Sequence, residues 1–345
     1  MARIPIPAPI SGGLMLSYKC PAACRHCMYA CGPGWPADWI APADIERGLA
    51  QLARHIRPAP WGPDTVSLNH GLHFSGGEPF LNFELLLRAA ELAEGLGVPS
   101  TFVETNGFWC ADDRDVRAKL QALRNAGLRG IMISVNPFYA EYVPFERTER
   151  CVRVSLEVFP ERNVFVYQQE YWRQFRRMGL TGRLPLEEYI ERTGNRQFVR
   201  RAEMFLMGRA ATDLRDAYPR HSAERFFDMP CTPPPLRPWH NHFDNYGNYM
   251  PGYCGGLSLG DWRELEDLLA AGVDPEARPV LALLLADDLA GCLRFAQDRG
   301  YEQRPGGYVS KCDLCLDLRR HLAATGDFPE LSPREFYDHA QAERP

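Results

Sequence analysis

Short apolar runs rich in β-forming residues alternate with segments of helical periodicity along the first two-thirds of the chain. The runs occupy residues 14–17, 73–75, 101–104, 131–134, 163–167 and 204–207. Helical patterns cover residues 44–56, 83–96 and 116–126. The first carries a stripe of Ile45, Leu49 and Leu52, and Gly97 and Gly127 stand where the other two should end. Strand–helix alternation predicts parallel strands with right-handed crossovers. We therefore expect an α/β fold, a partial (β/α)6 barrel that falls short of the usual eight strands.

The pattern changes near residue 215. The prolines of the next stretch are Pro230, Pro233, Pro234, Pro235 and Pro238. A hairpin pattern follows at 243–254, with its turn at 245–248, and a helical pattern at about 265–269. We predict a domain boundary near Tyr218, which divides the chain into a barrel domain at 1–217 and a small α+β domain at 218–345.

Composition narrows the choice of partners and compartment. The 345 residues are 45% hydrophobic and 24% charged, with a formal net charge of −5. A nucleic-acid partner is not expected, because it would usually require a basic surplus. No apolar run approaches the roughly 18 residues of a membrane helix, and the N-terminus does not resemble a signal peptide. The expected location is the cytoplasm, where the eleven cysteines are better interpreted as metal or redox ligands than as disulfides.

Three cysteines follow the first predicted strand directly. Cys20, Cys24 and Cys27 have the spacing C-x3-C-x2-C. Three thiolates on a short loop can hold three irons of a 4Fe–4S cubane and leave the fourth iron open for a small chelating molecule. The alternative is a zinc site, which normally takes four ligands and which His26 or Cys31 would complete.

Polar motifs close several of the predicted strands. Ser75-Gly76-Gly77-Glu78-Pro79 ends the second strand, Glu104-Thr105-Asn106-Gly107 the third, Ser134-Val135-Asn136 the fourth and Gly208-Arg209-Ala210 the sixth. The carboxyl ends of barrel strands are where ligand contacts are usually placed. The glycine pair also lets the backbone approach a ligand closely.

Together with the cysteine spacing, these motifs resemble the radical S-adenosylmethionine superfamily over roughly residues 10–215. The resemblance implies that the open iron binds the amino and carboxylate groups of S-adenosylmethionine and that His26 lies near the adenine. It further implies contacts to the cofactor from the strand ends, at Gly76, Gly77, Glu78, Glu104, Asn106, Ser134, Asn136 and Arg209. A flavodoxin- or ferredoxin-type protein would supply the electron.

Four more cysteines lie beyond the predicted boundary, at Cys231, Cys254, Cys312 and Cys315. With the hairpin and a following helix they resemble the twitch domain, the short form of the SPASM extension, which holds an auxiliary 4Fe–4S cluster. The family usually has four residues between its glycine and the second cysteine, whereas six separate Gly247 from Cys254 here. We expect one fully ligated cluster that relays electrons; a four-cysteine zinc ribbon is the alternative.

Three further residues are candidates for chemistry. Cys110 lies just past Gly107 and could donate a hydrogen atom to a substrate radical, although a buried apolar role is its default. His240 and His242 could be a general base or substrate contacts, or simply polar residues of the hairpin.

The combined hypothesis is a radical S-adenosylmethionine oxidoreductase that uses a 5′-deoxyadenosyl radical to take hydrogen from a small polar metabolite, such as a sugar, cyclitol or nucleoside. The auxiliary cluster would accept the second electron. Three alternatives stay open: a peptide-modifying enzyme, a redox-neutral epimerase or decarboxylase, and a non-catalytic iron–sulfur or zinc scaffold.

Overall fold

The computed structural model describes residues 2–201 and 204–341, which fold around one sheet. Within these residues the sheet has seven strands: β1 (Ser11–Met15), β2 (Gly71–Ser75), β3 (Phe102–Thr105), β4 (Gly130–Ser134), β5 (Val164–Tyr167), β6 (Asn241–Phe243) and β7 (Tyr249–Met250). Their order is β5-β4-β3-β2-β1-β6-β7. Strands β1 to β6 run parallel, and β7 returns antiparallel to β6.

Helices connect and cover the strands. They are α1 (Pro42–Leu52), α2 (Phe83–Gly95), α3 (Asp113–Asn125), α4 (Pro137–Ala140), α5 (Phe145–Val158), α6 (Gln169–Arg177), α7 (Leu186–Thr193), α8 (Phe198–Arg201), α9 (Ala210–Asp213), α10 (Leu265–Ala271), α11 (Pro279–Leu285), α12 (Leu289–Gln297), α13 (Lys311–Thr325) and α14 (Glu335–His339). In the described part of the chain, none is long and apolar enough to cross a membrane.

The local sequence explains where these elements form. Every residue of β1, β2 and β4 is buried, as expected for parallel strands that are covered on both faces. Helix α3 begins where Asp112 accepts hydrogen bonds from the backbone N–H groups of Arg114 and Asp115. These features confirm the predicted α/β class and the mainly parallel sheet.

The prediction of the sixth strand was wrong. Residues 204–207 form no strand; Asn241–Phe243 supplies the sixth parallel strand and pairs with β1 at the opposite end of the sheet. Gly208, which follows the run, has φ of +54°, and a side chain there would collide with the backbone of Cys27 and Met28. This close packing against the cysteine loop overrides the β propensity of a four-residue run.

The predicted hairpin is confirmed, with β6 and β7 joined through residues 244–248. Because β6 pairs with β1, residues on both sides of the predicted boundary at Tyr218 contribute to one sheet. The division at 217/218 therefore stays a prediction.

Candidate active site

A cavity of about 280 Å³ lies at the carboxyl ends of the parallel strands. Its wall is built from the cysteine loop after β1, the glycine turn after β2 and the ends of β3, β4 and β5. The hairpin region closes it with His240, His242 and Tyr253. Parallel strands that end on the same edge bring these segments together, so one cavity collects residues that are far apart in sequence.

The cysteine loop presents Cys20, Cys24 and Cys27 to this cavity. Asn106 Nδ2 donates a hydrogen bond to Cys20 Sγ at 3.7 Å. A hydrogen bond from Cys31 is the largest cause that lowers the pKa of Cys27, to about 6. Cys31 lines the same cavity. Three of these four thiols would hold a cubane cluster with one open iron.

The turn after β2 brings backbone, not side chain, to the cavity. Gly76 has φ of +128°, and a Cβ there would collide with the Ser17 carbonyl oxygen. Gly77 donates its N–H to the same oxygen at 2.8 Å. Only glycine allows this approach to the segment that follows β1, so the turn packs against that backbone and lines the cavity with its own, as a cradle for the cofactor.

His26 lines the cavity with an unused polar atom. Its ring stacks on Phe138, with centroids 4.8 Å apart, and its Nε2 lies 3.2 Å from Asn136 Nδ2. An amide nitrogen can only donate, as this one also does to Gln168 Oε1. His26 Nε2 is therefore the acceptor, and the ring proton lies on Nδ1. This Nδ1 is buried without a hydrogen-bond partner, as expected for a group that hydrogen-bonds to a ligand.

Of the other cofactor contacts expected from sequence, Glu104, Asn106 and Ser134 line the cavity. Glu78 does not: its carboxylate is buried and accepts from Phe80 N, Thr105 Oγ1 and Asn106 N at 2.9 to 3.2 Å. These bonds tie the turn after β2 to the end of β3. Glu78 thus positions its neighbours.

Asn136 and Arg209 also do not line the cavity but contact the residues that do. Asn136 caps α4 by accepting from Phe138 N and Tyr139 N. The Arg209 guanidinium, only 4% exposed, donates to the carbonyl oxygens of Cys24 and Cys31 at 2.8 Å each. It braces the two ends of the cysteine loop and brings a positive charge beneath the thiols.

The structure does not bring Cys110 to the cavity. Its side chain is fully buried and hydrogen-bonds with Cys151 under the loop that follows β3. A hydrogen-atom donor must contact the substrate, so this position argues against that role.

The second cysteine set converges on the start of α13. Burial raises the pKa of Cys312, and the next causes are the charges of Cys254, Cys315 and Cys231, which places the four thiols near one another. Arg319, one turn beyond Cys315 on the helix, is 4% exposed and lies against the same group.

Sequence reasoning missed His73 as a neighbour of the site and named Ser75 only as part of the glycine motif. Both lie on β2, where alternate residues share a face. Ser75 Oγ donates to Glu104 Oε2 at 3.0 Å, and His73 Nε2 lies 3.4 Å from Glu104 Oε1. The signal was present as two polar residues, spaced by two, in an apolar run that ends at the glycine pair.

Comparison with known proteins finds a family match within the first half of the chain. Residues 14–160 match the family model described as Radical SAM superfamily. No curated protein matches the chain. Among solved structures, BtrN in complex with AdoMet and 2-DOIA is similar over 78% of this chain and 83% of its own, with 13% identity and a TM-score of 0.42. Native anSMEcpe with bound AdoMet is similar over 91% and 97%, with 11% identity and a TM-score of 0.43. With scores this low, neither structural likeness carries weight here.

Proposed function

We propose, from the radical SAM domain at residues 14–160, that this chain is an oxidoreductase that removes two electrons from a small polar metabolite. Cys20, Cys24 and Cys27 would hold the 4Fe–4S cluster, and Cys231, Cys254, Cys312 and Cys315 a second cluster. When bound, the first cluster and S-adenosylmethionine would supply the chemistry that takes a hydrogen atom from the substrate, by way of a 5′-deoxyadenosyl radical.

One observation carries the proposal: Tyr253 lines the same cavity as the first three cysteines, and its chain neighbour is Cys254 of the second set. A Cβ on Gly255, the next residue, would lie 3.1 Å from the carbonyl oxygen of Met28, which follows Cys27. Substrate in the cavity would therefore lie between the two cysteine sets. This is the arrangement that an enzyme needs if its second cluster is to accept an electron from the substrate radical.

The character of the cavity supports a neutral polar substrate. The described residues that line it include serine, threonine, asparagine, histidine and tyrosine side chains, one carboxylate and no lysine or arginine. A phosphorylated substrate would usually be matched by cationic groups.

Sulfur geometry supports a cluster over zinc at the second site. A tetrahedral zinc site with Zn–S bonds of about 2.3 Å would hold its sulfurs about 3.8 Å apart. Among the described residues, no three of these four cysteines have their sulfurs within 4.8 Å of one another. Zinc would therefore need these sulfurs to move closer together, whereas a cubane carries its four ligands on separate irons. Such clusters require reduced thiols, which supports the predicted cytoplasmic location and a flavodoxin- or ferredoxin-type electron donor.

The test is anaerobic reconstitution of the full chain with iron and sulfide, followed by iron counting and a 5′-deoxyadenosine assay with dithionite. We expect about eight irons in wild type and about four in a Cys312→Ala/Cys315→Ala variant, since each cubane holds four. The control is Cys292→Ala/Cys151→Ala. It removes two buried thiols that belong to neither proposed ligand set, so it should retain the wild-type iron. Zinc at the second site, or no nucleoside from fully loaded protein, would overturn the proposal.

A further inference from the structure

Three histidines meet at the hairpin side of the cavity. His73 comes from β2, His242 from β6 and His240 from the residue before β6, and one ring nitrogen of each lies within 4.8 Å of the others. The ring centroids are 5.2 to 5.5 Å apart. Zn–N bonds of about 2.1 Å would place ligand nitrogens about 3.4 Å apart, so small side-chain rotations would bring the three onto one ion.

Hydrogen bonds orient two of the rings as metal ligands are usually oriented. His240 Nδ1 donates to the Leu68 carbonyl oxygen at 2.6 Å. His242 Nδ1 lies 3.2 Å from the Gly252 carbonyl oxygen and 2.8 Å from the Tyr29 hydroxyl. A carbonyl that accepts from Nδ1 fixes the proton there and leaves the Nε2 lone pair free for a metal.

The third ring carries an unsatisfied atom. His73 is 1% exposed, and its Nε2 is buried with no hydrogen-bond partner. The Glu104 carboxylate, 3.4 Å away, is itself held by Ser75. A buried imidazole nitrogen without a partner is costly, and a metal ion would satisfy it together with the nearby carboxylate.

The backbone is shaped to make room for the rings. A Cβ on Gly13 of β1 would collide with His73 Nε2 and would lie 2.8 Å from His242 Cδ2. His240 has φ of +51°, a left-handed conformation that a histidine rarely adopts and that costs about 1–3 kcal/mol. Strain of this kind tends to occur at functional sites, and here it aims the His240 ring at the other two.

We infer that His73, His240 and His242, with Glu104, bind one divalent first-row transition ion of the zinc or ferrous type. Imidazole ligands with one carboxylate favour such ions over magnesium or calcium. Since His240, His242 and Glu104 line the cavity, the ion would face the substrate and could coordinate a hydroxyl or amino group. That second role rests on the proposed function; metal binding does not.

The experiment uses the full chain after cluster reconstitution and removal of loose metal with a chelator. Zinc is added anaerobically, unbound metal is removed by gel filtration, and zinc and iron are counted by mass spectrometry. X-ray absorption at the zinc edge then distinguishes nitrogen and oxygen ligands at about 2.0–2.1 Å from sulfur at about 2.3 Å. The variants are His240→Asn and His242→Asn, and the control is His55→Asn, a partly buried histidine that pairs with Glu266 outside the cavity.

We expect one zinc per chain with a nitrogen and oxygen shell, unchanged iron, at least tenfold weaker zinc binding in either variant and no change in the control. Glu104→Gln should weaken binding without abolishing it. Equal zinc in wild type and variants, or a sulfur shell accompanied by iron loss, would overturn the inference. A chain that binds zinc as expected but forms no 5′-deoxyadenosine would retain this inference and overturn the proposed function instead.

Discussion

Gly76 and Gly97 offer a matched pair of substitutions that separates backbone strain from steric collision. Both have positive φ, +128° and +70°. A Cβ on Gly97, between α2 and β3, would meet nothing within 4 Å, whereas one on Gly76 would collide with the Ser17 carbonyl oxygen and lie 3.3 Å from two backbone nitrogens of residues 16 and 17. Gly97→Ala therefore tests the cost of a positive φ alone. Gly76→Ala tests that cost together with the steric collision of the Cβ.

The expected costs differ accordingly. Gly97→Ala should lower the free energy of unfolding by about 1–2 kcal/mol, which is the usual cost of a left-handed residue with a Cβ. Gly76→Ala adds an overpacking cost of about 1–3 kcal/mol, because the atoms in its way belong to the backbone of residues 16 and 17, directly after β1. It also strains the hydrogen bond from Gly77 N to Ser17 O and so displaces the turn that lines the cavity.

The assay is equilibrium dialysis of S-adenosylmethionine with reconstituted protein, together with thermal unfolding. We expect Gly97→Ala to bind with wild-type affinity and Gly76→Ala to bind at least about tenfold more weakly, a loss of about 1.4 kcal/mol. Equal affinities in the two variants would refute the argument that the glycine pair forms the cofactor cradle.

Three further outcomes follow from buried groups. Arg209→Gln should lower the free energy of unfolding by about 3 kcal/mol, because two carbonyl oxygens lose charged donors. It should also speed the chelation of iron from the first cluster only. Arg225→Gln, at an exposed arginine, is the control for both measurements. Cys110→Ala should leave 5′-deoxyadenosine formation unchanged and cost about 1–2 kcal/mol in unfolding experiments, since its thiol packs against Cys151. Burial raises the pKa of Glu78 from 4.5 to about 7. The folded protein therefore holds this proton more tightly than the unfolded chain, which stabilises the fold by up to about 3 kcal/mol. This stabilisation is complete below pH 4.5 and is lost as the pH rises through 7. Urea midpoints of cluster-free protein should show this fall, and Glu78→Gln should flatten it; an equal fall in the variant would assign the effect to other groups.

The sequence predicted the parts of the fold that depend on local pattern. Strands β1 to β5 and helices α1 to α3 form within a few residues of their predicted positions, because buried parallel strands and amphipathic helices carry strong periodic signals. The sixth strand was missed since Asn241–Phe243 is short and polar, and its place beside β1 depends on packing over a long separation in sequence.

The candidate site was predictable where a residue type and a spacing define the chemistry. Three cysteines and a glycine pair have few other uses in such a pattern, and the structure gathers them in one cavity. The roles of Glu78 and Arg209 were not predictable, because nothing in a sequence tells whether a buried charged group faces a ligand or the backbone carbonyl and amide groups behind it. His73 was missed for the same reason: its partners come from another strand and from the hairpin.

Strand β1 is paired on both sides, with β2 and with β6. During synthesis, β2 can pair with one edge of β1 early. The other edge stays unpaired until β6 is made roughly 230 residues later, and this separation slows assembly. Until then the strand that leads into the cysteine loop presents unpaired backbone groups, and such edges invite self-association. A nascent chain is thus exposed at the segment that would receive iron under the proposed function. Delivery of the first cluster is best timed after the ribosome has released the hairpin, and co-expression with chaperones and slow synthesis should raise the yield of loaded protein.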